Sequence, residues 1–91
     1  KNFIFYDIIT LVVKLIEKVI RRIRKDKGYS QKELSNIIGV AQTTLSGYET
    51  NYSKPIFDTI LDIANACDYD ICLVHKKYKD KRIIIKKHNL P

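Results

Sequence analysis

Hydrophobic residues recur every three or four positions through the first quarter of the chain: Phe5, Ile8, Ile9, Val12, Leu15, Ile16, Val19, Ile20 and Ile23. This spacing predicts one amphipathic helix, from about Tyr6 to Lys25, that ends at Gly28. A strand over residues 3–6 stays open, because β-branched and aromatic residues cluster there. The apolar turns before residue 19 need a surface to pack on. They either cover the helical core or contact a second subunit, and we favour the second.

Two short helices separated by a glycine are predicted next. Ser30 and Glu33 stand in the S-x-x-E relation of a capping box, which marks the start of a helix. Gly39 can adopt a left-handed backbone and end that helix. The apolar face between these two points consists of Leu34, Ile37 and Ile38.

A second helix is predicted from about Ala41 to Glu49. At 100° per residue its inward residues are Ala41, Leu45 and Tyr48. Its outward residues are Gln42, Thr43, Ser46, Gly47 and Thr50. The outward face is therefore polar, short and uncharged. Two helices joined by such a turn form a helix-turn-helix.

Residues 19–66 resemble the phage repressor/Cro-type (XRE-like) helix-turn-helix family of bacterial and phage regulators. The resemblance is carried by a basic helix ending at Gly28, the sequence S-Q-x-E-L, the core G-V-x-Q-x-x-L-S-x-Y-E, and K-P before a last amphipathic helix. It implies a mainly α fold of four to five helices. It also implies a second motif helix that enters the major groove of DNA.

The resemblance further implies which residues read bases. Gln42 matches a glutamine whose amide can bond an adenine edge in bidentate fashion. Thr43 and Ser46 can form hydrogen bonds or contact thymine methyl groups. Gly47 departs from the family pattern, in which a long polar side chain often reads a base, so it predicts either modest specificity or close approach to the DNA backbone.

Residues that contact phosphates are implied as well: Gln31, Thr44, Asn51, Tyr52, Ser53 and Lys54. Gln31 is expected to brace Gln42, although an ordinary surface position is the alternative. Thr44 could touch a base instead of a phosphate. Arg24 and Glu49 are expected to form a partly buried ion pair that fixes the second motif helix.

Positive charge is concentrated in two places. The chain has 17 Lys and Arg against 10 Asp and Glu, a formal charge of +7, which favours polyanionic partners. At the end of the first helix lie Arg21, Arg22, Arg24, Lys25 and Lys27, either as a solvated face or as phosphate contacts. The second group consists of Lys76, Lys77, Lys79, Lys81, Arg82, Lys86 and Lys87, for which edge protection is favoured over phosphate contact.

After Asp70 the hydrophobic period changes from helical to alternating. Ile71–Lys76 and Arg82–Lys86 are predicted as two strands joined by a charged turn, in a C-terminal hairpin or strand pair. A lone hairpin is marginal in water, so the strands should pair between subunits or pack on the first helix. We predict one domain over 1–91, with a helical extension (1–18), a helix-turn-helix core (19–68) and a dimerisation tail (69–91).

No catalytic constellation, metal set or phosphate-binding glycine loop is present in the sequence, so neither an enzyme nor a cofactor is expected. Cys67 and Cys72 are predicted as buried free thiols, and His75 and His88 as ordinary residues. The apolar N-terminal run is too short to span a membrane. The sequence thus predicts a cytoplasmic homodimer that binds double-stranded DNA as a transcriptional regulator, or alternatively an antitoxin that also binds a toxin protein.

Overall fold

The computed structural model describes residues 16–87 as four helices followed by a two-stranded antiparallel sheet. Helix α1 is described over 16–27, and α2, α3 and α4 span Gln31–Ile38, Gln42–Glu49 and Phe57–Ala66. Strands β1 and β2 span Ile71–Val74 and Arg82–Ile85. The predicted architecture, mainly helical with a C-terminal strand pair, is confirmed.

Helix α1 runs two residues further than predicted, to residue 27. Gly28 follows with φ +86°. Its N–H donates to the carbonyl of Lys25 at 3.0 Å, and the N–H of Tyr29 donates to the carbonyl of Arg24 at 3.1 Å, which together form a Schellman cap. The predicted helix over 6–15, the alternative strand at 3–6, the proposed dimer contact of the extension and His88 lie outside the described residues.

Helix α2 begins with the predicted capping box. Ser30 Oγ accepts the Glu33 N–H at 3.0 Å, and a Glu33 carboxylate oxygen accepts the Ser30 N–H at 2.8 Å. Gly39 ends the helix with φ +78°. The short turn leads to Ala41, which is the N-cap of α3 and is exposed rather than inward as predicted, because the first turn of α3 lies at the surface.

The last two helices end on left-handed residues that are not glycine. Asn51 follows α3 with φ +61° and Asp68 follows α4 with φ +65°. Asn51 therefore occupies the position at which glycine is commonest, as the sequence suggested. The N–H of Tyr52 then donates to the carbonyl of Gly47 at 2.9 Å, which turns the loop back onto α3.

The core gathers side chains from all four helices: Ile20, Ile23, Leu34, Leu45, Ile63, Ala64 and Cys67. Leu34 and Leu45 are wholly buried, with no accessible surface. Leu45 is the one large apolar side chain of α3 that is fully buried. This arrangement seats α3 on the core along one side and leaves its other side open.

The two strands pair with each other in the order predicted for a hairpin, with Cys72 opposite Ile84 and Leu73 opposite Ile83. Ile71 packs against the helical core. Cys67 is buried, but Cys72 is exposed, so the prediction of a buried thiol is wrong for Cys72. Its side chain lies on the face of the hairpin opposite to Ile71, which is the face turned away from the core.

Candidate nucleic-acid interface

Arg24 and Glu49, the expected ion pair, lie in direct contact between α1 and the end of α3. Arg24 Nε donates to Glu49 Oε2 at 2.6 Å, and Arg24 Nη2 donates to Glu49 Oε1 at 2.9 Å. The Glu49 side chain has no exposed surface, and that of Arg24 is nearly buried. The pair is bidentate, so it fixes orientation as well as distance.

Two further side chains complete the environment of Glu49. Gln31 Nε2 donates to Glu49 Oε1 at 3.1 Å, and Arg21 Nη2 donates to the main-chain carbonyl of Glu49 at 3.1 Å. Arg24 also donates from Nη1 to the carbonyl of Tyr29 at 2.8 Å. Glu49 is thus joined to α1 and to the first turn of α2.

These contacts set the protonation of the pair. Burial alone would raise the pKa of Glu49, but the hydrogen bonds from Arg24 and Gln31 and the nearby positive charges hold that pKa below its ordinary value. The hydrogen bond to Glu49 raises the pKa of Arg24. Both groups are therefore charged at neutral pH, and neither is left uncompensated.

The open side of α3 presents most of the predicted base-reading residues. Gln42 and Thr43 are exposed, and Ser46 and Thr44 are half-buried. Because Glu49 is turned inward, the exposed part of α3 carries no charged side chain. We call Gln42, Thr43 and Ser46 the reading face.

Gly47 lies on the same side of α3 as Thr43, where the helical wheel predicted it, but it is not exposed. It is buried, because the loop after α3 folds back over it. A Cβ built on Gly47 would lie 2.9 Å from Ser53 Oγ and 3.7 Å from Tyr52 Cδ2. The position predicted to read a base is therefore covered by this loop.

The residues predicted to contact phosphates differ in exposure and in their hydrogen-bond partners. Tyr52, Ser53 and Lys54 are exposed, and Asn51 is half-buried in the turn. Gln31 differs from expectation: its amide is hydrogen-bonded to Glu49 rather than to Gln42. The signal that could have revealed this link is the buried carboxylate itself, which needs more donors than one guanidinium.

The two basic groups differ in their contacts. On α1, Arg22 is 80% exposed and lies 3.5 Å from Asp26, and Lys25 is exposed. In the hairpin turn, the ammonium groups of Lys77 and Lys81 lie 5.5 and 5.4 Å from the ring centre of Tyr78, and Lys87 contacts Asp62 at 3.1 Å. The α1 group includes Arg24, which contacts α3 directly.

Within residues 16–87, no group of three or more His, Cys, Asp or Glu side chains is placed to hold a metal ion. No helix in the same range is long and apolar enough to cross a membrane.

The fold and this α3 geometry define a class of protein. The model of the helix-turn-helix family matches residues 20–74, which is more than half of the chain. The chain belongs to this family, and the resemblance read from the motifs is confirmed.

The relatives are DNA-binding transcriptional regulators. The HTH-type transcriptional regulator ImmR of Bacillus subtilis (strain 168) is 35% identical over 48 residues, which are 53% of this chain and 38% of ImmR. The chain therefore spans well under half the length of this curated relative.

Solved structures of SinR show the same fold. SinR in complex with DNA, described as the master regulator for biofilm formation, is 35% identical with a TM-score of 0.54, covering 58% of this chain and 88% of SinR there. The N-terminal DNA-binding domain of SinR from Bacillus subtilis is 34% identical with a TM-score of 0.54, and the match covers 60% of this chain and 81% of that domain. A chain of a SinR–SinI complex is 35% identical with a TM-score of 0.52, and the match covers 58% of this chain and 52% of that one.

The Arg24–Glu49 pair generates a prediction about stability. Arg24→Met should lower the free energy of unfolding by about 3–5 kcal/mol, because it leaves a buried carboxylate without its main partner. Arg24→Met combined with Glu49→Leu should recover most of this loss, since no charge is then stranded. Urea denaturation of the single and double variants measures both effects.

Arg22→Met is the matched control, because it removes an arginine from the same helix at a solvent-exposed pair. It should change stability by less than about 1 kcal/mol. Equal losses for the Arg22 and Arg24 variants would show that the pair does not hold α3 in place.

The lowered pKa of Glu49 predicts an acid-dependent loss of stability. A carboxylate whose folded pKa lies below its unfolded value stabilises the fold above the unfolded value, about 4.3 for Glu, and this stabilisation is lost as the pH falls through the folded pKa. Glu49→Gln should therefore be less stable than the parent at pH 7, and the difference should shrink below about pH 4. Urea titrations at several pH values measure it, and a constant difference would contradict the assignment.

Proposed function

We propose that this protein is a sequence-specific transcriptional regulator that inserts α3 into the major groove of double-stranded DNA and represses the genes it binds. The observation that carries the proposal is the reading face, an uncharged row of hydrogen-bonding side chains, with Gln42 and Thr43 exposed and Ser46 half-buried. It lies on a helix fixed by the Arg24–Glu49 pair. The helix-turn-helix regulators ImmR and SinR, to which the chain is similar, support it.

Base readout and phosphate contact divide between neighbouring residues in this proposal. Gln42 bonds a base edge, with adenine as the preferred partner of its amide, and Thr43 and Ser46 add shorter contacts. Tyr52, Ser53 and Lys54 are exposed immediately after α3 and contact phosphates. Contacts of the second kind position the protein without carrying sequence information.

We further propose that the protein works as a homodimer in the cytoplasm, and that residues 69–91 supply the contact. The hairpin supports this proposal because apolar side chains are exposed on both of its faces. Leu73 and Ile83 are 59% and 65% exposed on one face, and Val74 and Ile84 are 43% and 48% exposed on the other. A two-stranded sheet that exposes apolar side chains on both faces is marginal in water, and a second copy would cover Leu73 and Ile83, the more exposed pair.

The same surface supports a second candidate, in which the chain is an antitoxin that binds a toxin protein and represses its own operon. SinR, to whose structures this chain is similar, has been solved in complex with another protein, SinI. The hairpin faces would then be covered by a different chain. A stable monomer that dimerises only with a co-expressed neighbouring gene product would favour this candidate.

The base-reading role of Gln42 is tested on DNA selected from a random double-stranded pool. Gln42→Ala should weaken binding to the selected sequence by about 1–3 kcal/mol and change binding to random DNA little. Fluorescence anisotropy on both duplexes at fixed salt measures the difference.

Lys54→Ala is the matched control on the phosphate side. It should weaken binding to both duplexes alike and reduce the slope of log binding constant against log salt concentration by about one. If Gln42→Ala weakens both duplexes equally, Gln42 does not read bases.

The dimer contact is tested by placing one charge on the hairpin and one on α1. Ile83→Lys should convert a dimer to a monomer, because it buries an unpaired ammonium in the proposed contact, while the 65% exposure of Ile83 leaves the fold of the monomer intact. Val19→Lys, at a residue of α1 that is 48% exposed, should leave the dimer unchanged. Light scattering gives the mass of each variant.

The opposite pattern would move the contact to α1 and the N-terminal extension. A monomeric parent chain would contradict the homodimer altogether. A dimer should also bind two half-sites separated by one helical turn, about 34 Å.

A further inference from the structure

The loop after α3 is seated on the backbone of that helix at Gly47. The carbonyl of Gly47 accepts the N–H of Tyr52 at 2.9 Å and that of Ser53 at 3.3 Å. A Cβ at residue 47 would lie 2.9 Å from Ser53 Oγ and 3.7 and 3.9 Å from two carbons of Tyr52. Because Gly47 has no side chain, the loop lies closer to α3 than it otherwise would.

Besides Ser53, the side chain that this loop places next to α3 is Tyr52. It is 89% exposed, more than any other large hydrophobic side chain of the described residues. Gly47 follows Thr43 by four residues, so the two lie on the same side of the helix. Tyr52 Cβ lies 3.9 Å from the position that a Cβ at residue 47 would occupy, one turn beyond Thr43.

We infer that Tyr52 replaces the missing side chain of residue 47 in reading DNA, by packing its ring against the C5-methyl group of a thymine next to the base that Thr43 contacts. This inference rests on the proposed function. Apolar contact with the thymine methyl group is a recognised mode of major-groove readout. Tyrosine also supplies a large contact area with only two rotatable side-chain bonds to order.

The chemistry differs from that of a phosphate contact, which was the role expected from the sequence. A phosphate contact would use the phenol hydroxyl and would be blind to sequence. A methyl contact uses the ring and requires thymine at one position. The two roles therefore predict different responses to removal of the hydroxyl and to removal of the methyl.

The experiment starts from a duplex selected by the parent protein from random DNA. Each thymine in turn is replaced by deoxyuridine, which removes the methyl group and keeps the base pair. At one thymine the replacement should weaken DNA binding by the parent and by Tyr52→Phe about fourfold, which is the factor for losing one buried methyl group. The same replacement should leave Tyr52→Ala unchanged.

Tyr78→Ala is the matched control, because it removes an exposed tyrosine from the hairpin turn, away from α3. It should retain the full deoxyuridine effect. Thermal melting should show Tyr52→Ala to be as stable as the parent, because the ring is exposed.

Two results would overturn the inference in distinguishable ways. If every deoxyuridine replacement weakens binding of Tyr52→Ala and of the parent equally, Tyr52 does not contact a thymine methyl group. The proposed function would still hold in that case. If Tyr52→Phe binds all duplexes more weakly and the deoxyuridine effect does not depend on Tyr52, then Tyr52 contacts a phosphate through its hydroxyl. If selection yields no preferred sequence, the proposed function fails and this inference fails with it.

Discussion

The buried carboxylate of Glu49 is the constraint on which the orientation of α3 depends. A buried charge is costly unless it is paired and hydrogen-bonded. Here one carboxylate receives a guanidinium from α1 and an amide from the first turn of α2. Leu45 is the only large apolar side chain that α3 buries completely, and Tyr48 packs against the core in part. Apolar packing alone would therefore hold the helix at two neighbouring side chains. The polar contacts add a second attachment at its far end.

The two attachments act in different ways. Packing of Leu45 is roughly indifferent to rotation of the helix about that side chain, because the hydrophobic effect is non-directional. The fork between Arg24 and Glu49 has two parallel hydrogen bonds of 2.6 and 2.9 Å, which only one relative orientation satisfies. Apolar substitutes for such pairs are often as stable. The advantage of the charged pair at this position is therefore direction, which a helix that must match a groove requires.

Local signals made most of the fold predictable from the sequence. The capping box at Ser30, the left-handed residues at Gly28, Gly39 and Asn51, and the change of period after Asp70 each act within a few residues, and each is present in the structure. The expectations that failed depend on contacts between elements. The helical wheel predicted Gly47 to be exposed because a wheel contains no loop. The strand prediction treated Cys72 as buried, although Ile71 is the hairpin residue that packs against the core. Gln31 could be assigned to the motif from its spacing. Its hydrogen-bond partner, Glu49, could not, because spacing does not show that the Glu49 carboxylate is buried.

The uncharged reading face has a consequence for how affinity and specificity are separated. With Glu49 turned inward, attraction to phosphates has to come from other elements, such as Arg22 and Lys25 on α1 and Lys54 in the loop after α3. These charges act over a distance of about a Debye length, 8–10 Å at ordinary salt, and tolerate small shifts in position. Hydrogen bonds from Gln42 act over about 3 Å and do not. Specific readout therefore depends on the rigid attachment of α3, whereas non-specific affinity does not, so loosening the Glu49 cluster should reduce discrimination between sequences before it reduces binding to DNA.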